Sequence, residues 1–441
     1  MLAKQQANII VGLSAILYYL LFYYVARYDS WQLIILYCLL FVGYLILVKN
    51  RQTLGFKWLL AVGLLFRVVS LFSIPALSDD FYRFIWDGRL WAAGINPFAG
   101  LPGEFLENPV LESKGINKEL FNLLNSPTNY TVYPPIAQYI NWLAAKLFSG
   151  SISNSVYLMR SFVIGFDMIS LVLIYKILRR YQLQASLLVL YALNPLVIIE
   201  LAGNLHHEVF MITFLLGFLL FYSANKSIYA APLLALSVAS KLLPLMFLPT
   251  ILLKEKKGWL FMLLFGSTSL LLFYPFIDAS FFSGMQHSLT LYYQNFEFNA
   301  GIYYLLRKIG FWIYGYNTIA FIGKALFIVS TVLIFYLSYY SFKNKQSYSV
   351  AFTIIYLAFV LLSLILHPWY ILLLVAFTPF TKFKFPIVWS FFIFLTYLGY
   401  GQFEFLENYY VVTVEFIAVI IAIIYDLKSY ALSSLNLKVA P

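Results

Sequence analysis

The 441-residue chain is 62% hydrophobic and only 11% charged, with a mean hydropathy of +0.84. Soluble domains carry about 25% charged residues, so this composition excludes one and leaves a polytopic membrane protein. The net charge of +11 comes from Lys and Arg set in short patches between apolar runs, which excludes a nucleic-acid-binding stripe and reports topology instead.

Apolar runs near 9–26, 31–48 and 58–75 open the chain, each close to the roughly 17–25 residues that a hydrocarbon core of about 30 Å requires. The first follows Lys4 and lacks a small-x-small cleavage pattern, so it is expected to stay as an anchor. Cys38, in the second, is the only cysteine and excludes an intrachain disulfide. Lys49, Arg51 and Lys57 place the link before the third run in the cytoplasm. The segment after it therefore emerges outside.

That external loop, about 76–132, holds seven acids (Asp79, Asp80, Asp87, Glu104, Glu107, Glu112, Glu119) against four bases (Arg83, Arg89, Lys114, Lys118). Its densest part runs from Ser78 to Arg89. Helical spacing puts Asp80, Arg83 and Asp87 on one face and Phe81, Ile85 and Ala92 on another. A short juxtamembrane helix is predicted, with its apolar face on lipid and its acids aimed at a pocket. Gly94-Ile95-Asn96-Pro97 and Tyr133-Pro134-Pro135 predict a folded, turn-rich cover.

Further apolar runs lie near 133–149, 157–175, 185–201, 208–223, 228–252, 259–277, 319–341, 349–379, 385–400 and 410–425. The expected fold class is all-α and polytopic, with about 11–13 transmembrane or re-entrant helices forming a single domain over 1–441. Two full crossings after the acidic loop would put Lys176, Arg179 and Arg180 outside, against the positive-inside rule. The reading that removes the conflict has 133–149 dip in and return. It also makes 228–252 two half-helices, broken by Pro244 and Pro249, with both ends inside. Such breaks persist at membrane depth only where they line a cavity. Lys343, Lys345, Lys382, Lys384, Lys428 and Lys438 then fall inside, and Glu404, Glu407 and the His367 to Tyr370 midpoint outside. A second external loop, 277–318, carries Asp278, His287, Glu297, Arg307 and Lys308.

Few residues inside this scaffold can do chemistry. His206-His207-Glu208 is a weak metal motif, because adjacent histidines on a helix face different ways and no third spaced ligand follows; it fits a polar pocket better. Lys241 interrupts an apolar run and needs an anion, unless it snorkels to a headgroup. Arg67 and Arg160 lie within apolar runs and suit a phosphate, since guanidinium binds its oxygens in pairs. Pairing with Asp167 or a loop acid is the alternative. No Walker loop, dinucleotide fingerprint or serine elbow occurs. External carboxylates above membrane-embedded cations suit a lipid phosphate that carries a polar group. A carboxylate would take a proton from an acceptor hydroxyl, and a cation would stabilise the departing phosphate.

The run from Ser78 to Arg89, closing with Gly94-Ile95-Asn96-Pro97-Phe98, resembles the first external loop of the C-type, polyprenol-phosphate-sugar-dependent membrane glycosyltransferases, bacterial mannosyltransferase-like members above all. Tyr133-Pro134-Pro135, Gly203 to Glu208, Lys241-Leu242-Leu243-Pro244 and His367-Pro368-Trp369-Tyr370 resemble further landmarks in the same order. The resemblance implies the C-type fold in a bacterial inner membrane, an active site facing the periplasm or exterior, and hexosyl transfer with inversion. It implies Asp79 or Asp80 as the catalytic base. Arg83, Asp87, His206, His207, Glu208, Lys241, Arg67, His367 and Tyr370 are the expected substrate contacts, with Lys241 and Arg67 inferred from burial cost alone. Where the family commonly shows Gly-His-x-Asp, this chain has His206-His207-Glu208. The implied partners are a polyprenyl-phosphate sugar donor, a glycan or lipid-linked acceptor, and membrane lipids. No cofactor is assigned, and a divalent cation is left open. A lipid-linked glycan polymerase or ligase would rely on His287 or Arg307 instead. A transporter would show an inverted repeat, and the sequence displays none.

Overall fold

The computed structural model describes residues 4–294 and 296–436; Lys438 lies outside them. Helices carry the architecture, and among the described residues extended pairing is limited to two isolated bridges, Phe298 with Ile365 and Tyr400 with Phe405. Lipid offers no hydrogen-bond partners, so each apolar segment satisfies its backbone within itself.

The first three helices are α1 (Lys4–Tyr24), α2 (Ser30–Lys49) and α3 (Phe56–Val68). Next come α4 (Asp80–Ala92), α5 (Pro135–Leu147), α6 (Ile152–Arg180), α7 (Glu208–Ser223) and α8 (Ser227–Ser240). The chain continues through α9 (Leu243–Lys254), α10 (Gly258–Phe273) and α11 (Ile319–Lys343). It ends with α12 (Tyr348–Leu362), α13 (Pro368–Phe380), α14 (Phe385–Gly399) and α15 (Tyr409–Asn436). Among the described residues six helices are long and apolar enough to cross a membrane: those starting near residues 5, 30, 152, 258, 319 and 409. A bent pair, Ala185–Ala192 and Pro195–Gly203, meets at 53° and makes a seventh span if counted as one. Asn194 explains the bend, because its side chain caps the Leu196 amide at 3.0 Å and Pro195 starts the second arm. The main apolar core of the described residues runs from Ala7 to Val419.

Thirteen residues of α5, about 20 Å, are too few to cross, and the helix lies along α4. Gly88 allows that approach, since a Cβ there would collide with the Asn141 carbonyl. The 228–252 run is two pieces, but the break falls at Lys241, extended at φ −161°, with Pro244 in the turn that follows it. Pro249 instead opens a helical turn.

Hydrogen bonds sort the helix ends onto two faces. On one, Arg180 bonds the Ser223 carbonyl, Ser227 Oγ donates to Glu255 at 2.8 Å, Lys254 Nζ reaches the Gln346 carbonyl at 2.7 Å, and Asp426 accepts the Phe385 amide at 2.8 Å. Lys226, Lys254, Lys256, Lys257, Lys343, Lys345, Lys382 and Lys384 gather there. The other face carries Asp79, Asp80, Glu208, Lys241 and His367.

The apolar side of α4 corrects one expectation. Phe81 and Ile85 are 1% and 2% exposed, packed in protein instead of lying on lipid, and only Ala92 of that trio is exposed. Lipid and a protein core are equally apolar solvents for a side chain, so an amphipathic pattern does not tell them apart. The far end of the loop docks through Phe98 against Phe276 and Phe281, with Asn96 Nδ2 donating to the Phe276 carbonyl at 2.9 Å and to Asp278 at 2.8 Å.

Candidate active site

Asp79 and Asp80 stand at the N-terminus of α4, where the helix dipole favours negative charge. Their surroundings differ. Asp79 takes Arg27 Nη2 at 2.7 Å, and that guanidinium rests 4.6 Å above the Tyr400 ring. Asp80 accepts Asn125 Nδ2 at 2.6 Å on one oxygen, while the other lies 3.9 Å from His206 Nε2, with no cation of the described residues closer.

His206 sits on a loop that the sequence forces into shape. A Cβ at Gly203 would stand 2.5 Å from the Phe22 ring, and Leu205 takes a left-handed φ of +67°. Arg160 holds the loop from below. It donates to the carbonyls of Ala202 at 2.7 Å and Gly203 at 3.0 Å, and to those of Leu71 and Ser73, which lead into the acidic loop. One buried guanidinium thus ties the two halves of the site together.

His206 Nδ1 faces only acceptors, the Glu200 carbonyl at 3.0 Å and its carboxylate at 3.1 Å, so it is the donor and Nε2 points to Asp80. Burial opposes its charge, yet Glu200, with Glu208 and Asp80 nearby, raises its pKa above the ordinary value. Glu200, itself fully buried, also receives Asn204 Nδ2 and the Tyr397 hydroxyl, both at 2.9 Å. Trp369 stacks on His206 at 3.8 Å and on His367 at 4.3 Å. Burial pushes His367 and His207 down to about 3, so both are neutral. His207 turns away to stack on Phe84 at 4.1 Å.

Glu208, the first residue of α7, pairs with Lys241 at the break between α8 and α9, and the ammonium lies 4.4 Å over the Tyr370 ring. Contacts therefore run without interruption from Asp80 through His206, Trp369, His367 and Tyr370 to Lys241 and Glu208. Among the described residues no three His, Cys, Asp or Glu side chains are grouped as a metal ion would need.

Three expected contacts are engaged elsewhere. Arg67 is fully buried, with Nε 2.6 Å from Asp167, Nη1 2.9 Å from the Gly63 and Ala192 carbonyls, and Tyr191 donating to Asp167 at 2.8 Å. It braces α3 against α6 and does not reach the site. Arg83 and Asp87 form a buried pair at 2.7 Å, which Asn129, Thr131 and Gln138 complete. They fasten the loop to α4. Arg307 pairs with Glu297 and lies over Tyr304. Removing one member of a buried pair leaves the other charge uncompensated at about 3–5 kcal/mol. Arg67→Met is therefore expected to lower the unfolding temperature of the purified protein sharply, and Arg67→Met with Asp167→Leu to recover much of it. Equal stability of single variant and parent rules the brace out.

The model of the alpha-(1→6)-mannopyranosyltransferase family, N-terminal domain, matches residues 19–255, more than half of the chain. The chain belongs to this family. It is a multi-pass membrane glycosyltransferase of a mannosyl-transferring family, and no curated protein or solved structure matches it. The matched segment holds Asp79, Asp80, Arg160, the His206 loop and Lys241, whereas the aromatic wall of His367, Trp369, Tyr370 and Tyr397 comes from the remainder. Glu200, Asn125, Arg27, Trp369 and Tyr397 were not singled out from the sequence as site residues. Glu200 carried a signal, being a lone carboxylate inside an apolar run, and Trp369 stood within the His367 to Tyr370 run; Asn125, Arg27 and Tyr397 carried none.

Proposed function

We propose that the chain transfers a mannosyl residue from a polyprenyl-phosphate donor to a hydroxyl of a glycan or lipid-linked acceptor, at the external face and with inversion. The observation that carries this reading is a carboxylate with no Lys or Arg partner among the described residues, Asp80, joined through the rings of His206, Trp369, His367 and Tyr370 to a cation, Lys241. Asp80 takes the acceptor's proton as the acceptor oxygen bonds to the anomeric carbon. The bond from that carbon to the phosphate oxygen breaks, and the electron pair leaves with polyprenyl phosphate, whose added charge Lys241 stabilises. Glu200 fixes His206 through Nδ1 and so holds Nε2 toward Asp80. Purified protein incubated with polyprenyl-phosphate mannose and an acceptor is expected to release polyprenyl phosphate and form a mannosylated product. No release from any polyprenyl-phosphate sugar overturns the reading.

The external placement rests on the lysine-rich face opposite the site. In a variant lacking Cys38, a cysteine at the exposed position 107 of the acidic loop is expected to react with an impermeant thiol reagent from outside and one at the exposed position 180 not to. The reverse labelling overturns it.

A further inference from the structure

A second site lies at the other end of α8. Between the α7–α8 turn and the start of α10 is an open cleft of about 760 Å³, on the face away from Asp80. Four ammonium groups line it, Lys226, Lys254, Lys256 and Lys257, against one carboxylate, Glu255. That carboxylate is already engaged, accepting Ser227 Oγ at 2.8 Å and the Lys257 amide at 3.1 Å. Lys254 is turned aside to the Gln346 carbonyl at 2.7 Å and over the Tyr348 ring at 4.5 Å. Lys226, Lys256 and Lys257 are exposed and have no carboxylate partner among the described residues. Two helices, α8 and α10, also begin among the lining residues, and a helix N-terminus carries partial positive charge.

The wall below the lysines is apolar. Leu260 and Leu264 of α10 line it, and the same helix continues into the bilayer with Leu263 and Leu271 exposed at 59% and 74%. Ile228, 59% exposed, lines the other side. A soluble anion would use the lysines and leave this wall wet; a lipid would use both. Basic pockets between transmembrane helices on the cytoplasmic side hold anionic headgroups in this manner.

We propose that this cleft binds the phosphate headgroup of an anionic membrane lipid, with an acyl chain lying along Leu260 and Leu264. The site is separate from the donor's and does not depend on the proposed reaction.

Native mass spectrometry of the full chain with phosphatidylglycerol, phosphatidylcholine or inorganic phosphate tests it. One phosphatidylglycerol is expected to stay on the parent protein, and Lys226→Gln with Lys256→Gln and Lys257→Gln to weaken that retention at least about ten-fold. A control triple on the same face, Lys343→Gln with Lys345→Gln and Lys428→Gln, is expected to weaken it no more than about two-fold. Unchanged retention in the first triple, equal loss in both, equal retention of phosphatidylcholine, or displacement by inorganic phosphate would each overturn the assignment. All six positions are exposed, so folding is not in question.

Discussion

Asp80→Asn is expected to lower mannosyl transfer by about 10²–10⁴-fold, the usual contribution of a positioned general base, while the protein keeps its yield and unfolding temperature. The amide preserves the shape and the contact with Asn125 but cannot accept a proton from the acceptor hydroxyl. Asp79→Asn is expected to cost far less. Its carboxylate is 35% exposed and paired with Arg27 at 2.7 Å, and an exposed pair of that kind contributes about 0–1 kcal/mol. The Arg27 guanidinium also occupies the Asp79 oxygen that it bonds, whereas Asp80 meets no Lys or Arg among the described residues. Single-turnover rates for both variants, at saturating donor, decide between the two acids. If both single variants and the double variant turned over at the parent rate, neither acid would be the base.

Lys241→Met is expected to reduce turnover by about 10²–10³-fold, the range seen when one group stabilising a developing anion is removed. In the proposed reaction the phosphate gains charge only as the sugar leaves, so donor affinity should fall less than the rate. Glu208 complicates the substitution: it is 7% exposed at its side chain and pairs with Lys241, so losing the lysine strands a nearly buried carboxylate. Lys241→Met combined with Glu208→Gln removes that penalty. The double variant is expected to regain stability without regaining turnover, which separates folding from chemistry. Lys241→Arg should recover part of the rate, limited by the larger guanidinium. Normal turnover of Lys241→Met at every donor concentration makes the lysine a snorkelling anchor only. With Arg67 fully buried against Asp167, the phosphate would then have to be held elsewhere.

Much of this protein is legible locally. Hydropathy, the positions of the lysine patches, the Asp79-Asp80 run and the cost of Lys241 in an apolar segment are properties of short stretches, and they led to the membrane class, the glycosyltransferase family and the Asp79-Asp80 pair of candidate bases. Tertiary structure decided which charges are spent. Arg67 meets Asp167 across 100 residues and Asp79 meets Arg27 across 52, and no local pattern reveals whether a membrane arginine faces a ligand or a partner that far along the chain. Helical spacing put Asp80, Arg83 and Asp87 on one face, yet packing against 126–138 consumed the latter two and left Asp80 turned toward His206. Glu200, Trp369 and Tyr397 joined the site only when separate helices closed around the Gly203 loop. The physical reason is the same in each case: a buried charge is defined by what approaches it in space, and at low dielectric that approach outweighs anything the flanking residues contribute.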